Sequence, residues 1–429
     1  MKNSRKILYK ADRISNSENS GWLKNHAVIV SGSIIEDILP ISKLPSDLSN
    51  NIQSYQLGDI FLLPGIIDAH CHMHCSATSN AQELAYNESD SELIIRAVNN
   101  MRKCLLSGTT TVRDLGSKNN IAFVIKQMID GNNIPGPNLI LSGTPITITA
   151  GHCWIFGTEA DSNDEVIKAV RNQIKIGANV IKIMVTGGMF TPTSNPRKTQ
   201  YSIEILESVV SEAKRFDIPV AAHTLSAEGV ENCVKAKVDH LIHARWYDKN
   251  PNKGLDFRKD IVKKMVDQDQ WVDPTLGHQL LRKDANVDPI NSSASDGKDV
   301  IMKSHWAIGK DVPMEEHIEK LSIMDSEGVR FTTGLDMGMA FGDHDKSTAN
   351  AWSLVEFLGW NNWKAIKAST SDTAEALGLG NKIGRIKKNF TADFAAFSKD
   401  PAKEIRNLTN ASTVVKSGKV LKINNNILV

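Results

Sequence analysis

Strand-like and helix-like runs alternate through the middle of this chain, and that alternation restricts its fold more than any other feature. Apolar, β-branched runs at 63–72, 109–115, 138–141, 180–186, 219–223, 240–243, 271–275 and 329–336 read as strands. Stretches at 91–106, 164–176, 202–216 and 261–265 carry apolar residues near helical spacing. Asp164-Glu165 and Ser202-Ile203-Glu204 suit helix starts, where acidic groups meet the positive end of the helix dipole. Gly108, Gly177 and Gly328 follow helical runs, the place where glycine commonly caps. Eight strand–helix units predict an α/β fold, a (β/α)8 TIM-like barrel with a parallel sheet.

The two ends have a different texture. Short β-rich runs at 27–30, 33–35 and 59–62 are matched by runs at 393–397, 412–415 and 419–422, the last two joined by a Ser417-Gly418 turn. They predict a small β-sandwich domain assembled from residues 1–62 and 381–429 around a barrel of residues 63–380. The polar stretch 276–307 breaks the rhythm and is expected to be a long excursion near the mouth of the barrel.

Composition narrows the class. A formal net charge of +1 removes the electrostatic reason to expect a nucleic-acid or anionic-membrane partner. No apolar run reaches the roughly 20 residues of a membrane span, and the basic, polar first ten residues do not read as a secretory signal. Five scattered cysteines (Cys71, Cys75, Cys104, Cys153 and Cys233) do not form a disulfide framework, which points to a reducing, cytoplasmic setting.

Histidine is more telling. Three of the twelve, His70, His72 and His74, fall within five residues at the end of the first long strand. Alternate residues on a strand share a face, so His70 and His72 can aim two imidazoles at one point; His72 and His74 have the same spacing, one step along. Active sites of parallel barrels lie at the carboxyl ends of the strands, and imidazole suits zinc, iron, manganese or nickel better than calcium. His223, His243 and Asp336 end the fifth, sixth and eighth strands. Lys182 sits inside the apolar fourth strand, where a buried ammonium needs compensation. A His-x-His alone is equally a pair of surface histidines, and a lone strand lysine usually snorkels to the edge of a core. Their common position at one barrel end favours a shared site.

Six segments carry a family resemblance: Leu63-Pro64-Gly65-Ile66-Ile67-Asp68-Ala69-His70-Cys71-His72, Gly108-Thr109-Thr110-Thr111-Val112-Arg113-Asp114-Leu115-Gly116, Gly177-Ala178-Asn179-Val180-Ile181-Lys182-Ile183-Met184, Val220-Ala221-Ala222-His223, Asp239-His240-Leu241-Ile242-His243 and Gly334-Leu335-Asp336. In this order they resemble the amidohydrolase superfamily, and within it the branch of imidazolonepropionase-like enzymes and Xaa-Pro and Xaa-Arg zinc dipeptidases. The likeness implies two divalent metal ions, expected to be zinc. His70, His72 and Asp336 would bind the more buried ion and His223 and His243 the second, with Lys182, carboxylated by CO2, bridging both. A hydroxide between the metals would attack an amide carbonyl, Asp336 taking its proton and passing it to the leaving amine.

Two positions depart from the family pattern: the sixth strand reads Ile242-His243-Ala244-Arg245 where Glu-His-Gly is common, and the eighth reads Gly334-Leu335-Asp336 for Gly-Thr-Asp. The ligands themselves stay. On the substrate side, the resemblance makes His152 a contact of the carbonyl oxygen and Tyr201 a holder of a substrate carboxylate. Equally, His152 is a loop histidine and Tyr201 an apolar staple before a helix. Arg245 could fork onto a carboxylate or form a surface ion pair. His240, His278, His305, His317 and His344 have no supporting context, although His278 follows the seventh strand. The substrate expected is a dipeptide or N-acyl amino acid with a free carboxylate. The alternatives are a cyclic amide, a xenobiotic amide, carbamate or urea, or a non-catalytic scaffold of the same fold. Further copies of the chain in a homo-oligomer are the other expected partner.

Overall fold

The computed structural model describes residues 6–45, 52–285 and 312–429. Most of the excursion expected at 276–307, with His305, lies outside the described residues. Its first part does not: Leu276–Asp284 is a helix, one face of it packed by Leu276 and Leu280.

Eighteen strands follow one another along the described chain: β1 (Lys6–Ser15), β2 (Trp22–Ser31), β3 (Ile34–Pro40), β4 (Gln53–Pro64), β5 (Ile66–Cys71), β6 (Thr109–Asp114), β7 (Asn138–Leu141), β8 (Ile146–Thr147), β9 (Thr158–Glu159), β10 (Ile181–Met184), β11 (Val220–Ser226), β12 (His240–Tyr247), β13 (Trp271–Asp273), β14 (Arg330–Phe331), β15 (Phe394–Phe397), β16 (Thr413–Lys416), β17 (Lys419–Ile423) and β18 (Asn426–Ile427). The first four and last four form one eight-stranded sheet, ordered β18-β17-β16-β15-β4-β1-β2-β3. The expected sandwich is therefore a single sheet turned back on itself. Its two hairpin ends meet where the Tyr9 hydroxyl donates to the Gly418 carbonyl at 2.9 Å, and Tyr9, Val28, Val30, Phe394 and Val415 fill the fold between them. Both Ser417 and Gly418 have positive φ, the geometry of a tight hairpin turn.

Between these ends lie two parallel sheets, β5-β6-β7 and β14-β13-β12-β11-β10-β8-β9. Every residue of β5, β6, β10 and β11 is buried, as expected of parallel strands covered on both faces by helices. Backbone bonds join β5 to the segment after β14: Ala69 N to Thr333 O at 2.8 Å, and His72 N to Met337 O at 2.8 Å. At the other edge Asn179 N donates to Leu141 O at 2.8 Å. The helices start as the sequence predicts: Asp90–Ser107 and Asn163–Lys175 each open with a capping box, Ser89 with Glu92 and Ser162 with Glu165. Gly108, at φ +113°, closes the first of them.

The eighth strand is shorter than the sequence suggests. Only Arg330–Phe331 pairs as a strand; Gly334 and a left-handed Asp336 (φ +62°) break the extended run before its functional end. The inner faces meet in a small apolar floor of Leu115, Val180, Ala221 and Ile242. Lys182 and His223 stand two residues beyond Val180 and Ala221, on the same faces and one layer higher.

Candidate active site

Five imidazoles form an arc above that floor. Successive ring centroids are 5.4 Å apart for His72–His70, 5.4 Å for His70–His243, 4.8 Å for His243–His223 and 4.3 Å for His223–His152. Asp336 faces one end of it: its Oδ1 lies 3.3 Å from His70 Nε2 and 3.4 Å from His72 Nε2. These three residues meet the spacing needed to hold one cation.

Backbone geometry places the ligands. Ile242 belongs to the apolar floor, so strict alternation would turn His243 away. Left-handed backbone at His243 (φ +70°) and Ala244 (φ +45°) breaks the alternation and brings the imidazole inward. Such non-glycine conformations cost about 1–3 kcal/mol each and persist where the surroundings enforce them. Asp336 uses the same device.

Hydrogen bonds fix which nitrogen each ring presents. His72 Nδ1 donates to the Gly116 carbonyl at 2.9 Å, leaving Nε2 bare. Thr275 gives its hydroxyl proton to the Pro274 carbonyl, so at 2.9 Å it accepts from His243 Nδ1 and again leaves Nε2 bare. His223 is reversed: its Nε2 donates to the Gly187 carbonyl at 3.2 Å, so Nδ1 is the free lone pair. His70 Nδ1 stands 3.3 Å from Asp273 Oδ2, yet neither atom has a partner in hydrogen-bonding geometry. Outer partners that orient metal-binding imidazoles take this form.

Burial drives the pKa values of His70, His223 and His243 well below the usual histidine range, which keeps them neutral. Burial also pulls at His72, but the neighbouring Asp336 carboxylate wins and raises it. Burial would raise Asp336 too; His70 and His72 hold it well below the carboxylate range. Lys182, 1% exposed, is brought down to about 8 by burial, against the pull of Asp336. Its ammonium has no hydrogen-bonding partner among the described residues. Imidazole nitrogens at His70 and His72 and the ionised Asp336 carboxylate fit one divalent cation, with the buried Lys182 under the pull of the same carboxylate.

Of the other predicted residues, His152 is brought in and Tyr201 is not. His152 packs so closely on Gly188 that a Cβ there would lie 2.3 Å from its ring. Burial lowers it to about 3, so it is a neutral donor. Tyr201, 2% exposed, donates its hydroxyl to the Ala160 carbonyl at 2.8 Å within the core, which leaves nothing for a substrate carboxylate. Arg245 is 8% exposed and forms no surface ion pair with any described residue. His74 lies aside, its Nε2 3.7 Å from Cys75 Sγ and its ring against Phe156. The pair that converges is therefore His70 and His72. Cys71, as strand parity requires, joins the apolar cluster behind the sheet.

Sequence reasoning missed the residues that support the ligands. Asp68 accepts from the backbone N–H of His70 at 3.0 Å and of Leu335 at 3.3 Å, and from the Asn350 amide at 3.1 Å, tying β5 to the strand of Asp336. Asp114 receives Met73 N at 2.8 Å, Gly116 N at 3.1 Å and the Ser117 hydroxyl at 2.9 Å, fixing the loop beyond His72. Arg113 donates to Ala69 O at 2.7 Å. Burial raises Asp273 to about 7. Asp68 shares a strand face with His70, and Asp273 ends the seventh strand; both signals were available.

The chain belongs to the amidohydrolase family, whose model matches residues 61–421. That family consists of metal-dependent hydrolases, and the protein is an enzyme of this class. It is similar to ochratoxinase of Aspergillus niger, 26% identical over 442 residues that cover 93% of this chain and 83% of that one. Its structure is similar to that of a Xaa-Pro dipeptidase with methionine bound in the active site, with a TM-score of 0.81 and 25% identity over 97% of this chain and 100% of the other. The crystal structure of A. niger ochratoxinase superposes with a TM-score of 0.82 at 23% identity, covering 98% and 96%. No helix among the described residues is long and apolar enough to cross a membrane.

Proposed function

We propose that this protein is a binuclear amidohydrolase that cleaves a dipeptide or N-acyl amino acid with a free carboxylate and releases the C-terminal amino acid. Residues 63–380 would form the catalytic (β/α)8 barrel, with residues 1–62 and 381–429 as its β domain. His70, His72 and Asp336 hold the inner cation; His223 and His243 hold the outer one. When bound, two dications lower the pKa of a shared water and polarise the scissile carbonyl.

The chain's own groups supply the rest. A lysine with a pKa near 8 is partly neutral at physiological pH, and the neutral amine adds CO2 to give a carbamate and release a proton. That reaction would turn the buried cation at Lys182 into an anion able to hold a metal ion. Asp336 turns Oδ1 to His70 and His72. Its other oxygen is free to take a proton from the attacking water and return it to the leaving nitrogen. His152, neutral and tilted against His223, offers an N–H to the carbonyl oxygen as negative charge develops there. Arg245 receives the carboxylate.

The arc of five imidazoles around Lys182 and Asp336 carries this reading, and the likeness to a dipeptidase supports an amino-acid amide as substrate. The test is metal content and hydrolysis measured together. Two metals per chain, with amino-acid release from members of a dipeptide and N-acyl amino acid panel, is the expected result. Fewer than one metal per chain with no metal-dependent hydrolysis would leave the scaffold reading. Release from cyclic or xenobiotic amides alone would move the substrate class.

A further inference from the structure

Arg245 lies two residues beyond His243 in β12 and lines a small cavity with it. No described residue gives its guanidinium a hydrogen bond or a carboxylate partner, although the residue is 8% exposed. The acidic groups that act on it are the Tyr247 phenol and Asp273, and one Asp273 oxygen lies 3.3 Å from His70 Nδ1. A guanidinium taken out of water without a partner is expensive, and such groups are normally paired.

A second arginine stands close by. Arg282 projects from the helix Leu276–Asp284, one turn after His278, with its Cζ 5.6 Å from the Phe341 ring centroid. Its Nε is buried with no partner. Arg245 is near enough to repel it, and His278 feels Arg282, Asp336 and Arg245 together. Arg245 thus lines the cavity beside His243, and Arg282 lies over the Phe341 ring in the segment that follows Asp336. Beside His243 a small cavity is walled by Arg245, Trp246, His317 and Lys320, and none of its lining residues is acidic. Lys320 is met by Glu319 at 3.0 Å, outside that lining. The chain as a whole carries only +1, so the cationic excess is local to this side of the site.

We infer that the amino acid released is itself acidic: the substrate is an N-acyl or N-aminoacyl aspartate or glutamate whose two carboxylates are received by Arg245 and Arg282. Planar guanidinium groups bind carboxylates in paired hydrogen bonds, and two of them standing unpaired match a dicarboxylate better than a single α-carboxylate. The inference rests on the amide-hydrolase reading above and specifies its leaving group.

The experiment compares glycyl-glutamate with glycyl-glutamine, equal in shape and different in charge, on the metal-loaded enzyme. The expected kcat/KM ratio favours glutamate at least tenfold. Arg282→Glu, at unchanged metal content, should reverse the order of glycyl-glutamate and glycyl-lysine. A glutamate-to-glutamine ratio within twofold of one overturns the inference and leaves amide hydrolysis standing, and the wild-type comparison decides this even where the variant does not fold. An Arg282→Glu enzyme that still prefers glutamate overturns the role of Arg282. No cleavage of any amide by fully loaded enzyme removes both readings.

Discussion

Lys182 is a lysine buried among the imidazoles of the centre, and its loss should be specific. Lys182→Ala removes the proposed bridge and also a buried cation, so metal and activity should be lost while circular dichroism reports an intact fold; unchanged metal content would refute the bridging role. Gly334 is a steric requirement of the same centre. A Cβ there would lie 2.0 Å from Asp273 Oδ2 and 2.6 Å from His70 Cβ. Gly334→Ala should therefore displace His70 and weaken the inner site, read as metal retained after dialysis. Thr275→Val takes the acceptor from His243 Nδ1, and metal affinity should fall about 10–100-fold. The candidate ligands were legible in the sequence because each lies on or just beyond a strand-like run at one end of the fold. Thr275 was not, because an outer partner needs only to reach its histidine and leaves no spacing rule behind. Tyr201 misled for a related reason: a tyrosine before a helix looks the same whether its hydroxyl faces substrate or a backbone carbonyl.

At the scale of elements, the site depends on strands that stop being regular where they become functional. Period-two reasoning located β5, β10 and β11 well, since their buried faces are continuous. It failed beyond Phe331 and at His243, where left-handed residues break the alternation. Those breaks are stabilised by side chains from elsewhere in the chain, such as Asn350 on Asp68, 282 residues away. Asn350→Leu leaves a buried carboxylate oxygen short of a partner and should destabilise the fold by about 1–3 kcal/mol in denaturant unfolding. The same distance explains why the terminal sheet was read as two layers. The pairing of β4 with β15, Leu63 opposite Ala395, joins the two ends of the chain, and no local pattern announces it.

For the whole molecule, the terminal sheet and the parallel-sheet region share a contact at Gly108, where a Cβ would stand 2.9 Å from the Ala411 methyl and 3.2 Å from that of Ala395. The metals should act on stability at the same scale, because a ligand bound by the folded chain alone stabilises it by mass action. Chelation is expected to lower Tm, and zinc to restore it. The most direct measurement of the central claim is titration of the metal-free enzyme with zinc while amino-acid release from an N-acyl amino acid or dipeptide is followed. Two metals acting together predict that activity rises to a plateau at two equivalents per chain. A plateau at one equivalent, or release that does not depend on added metal, would contradict the account.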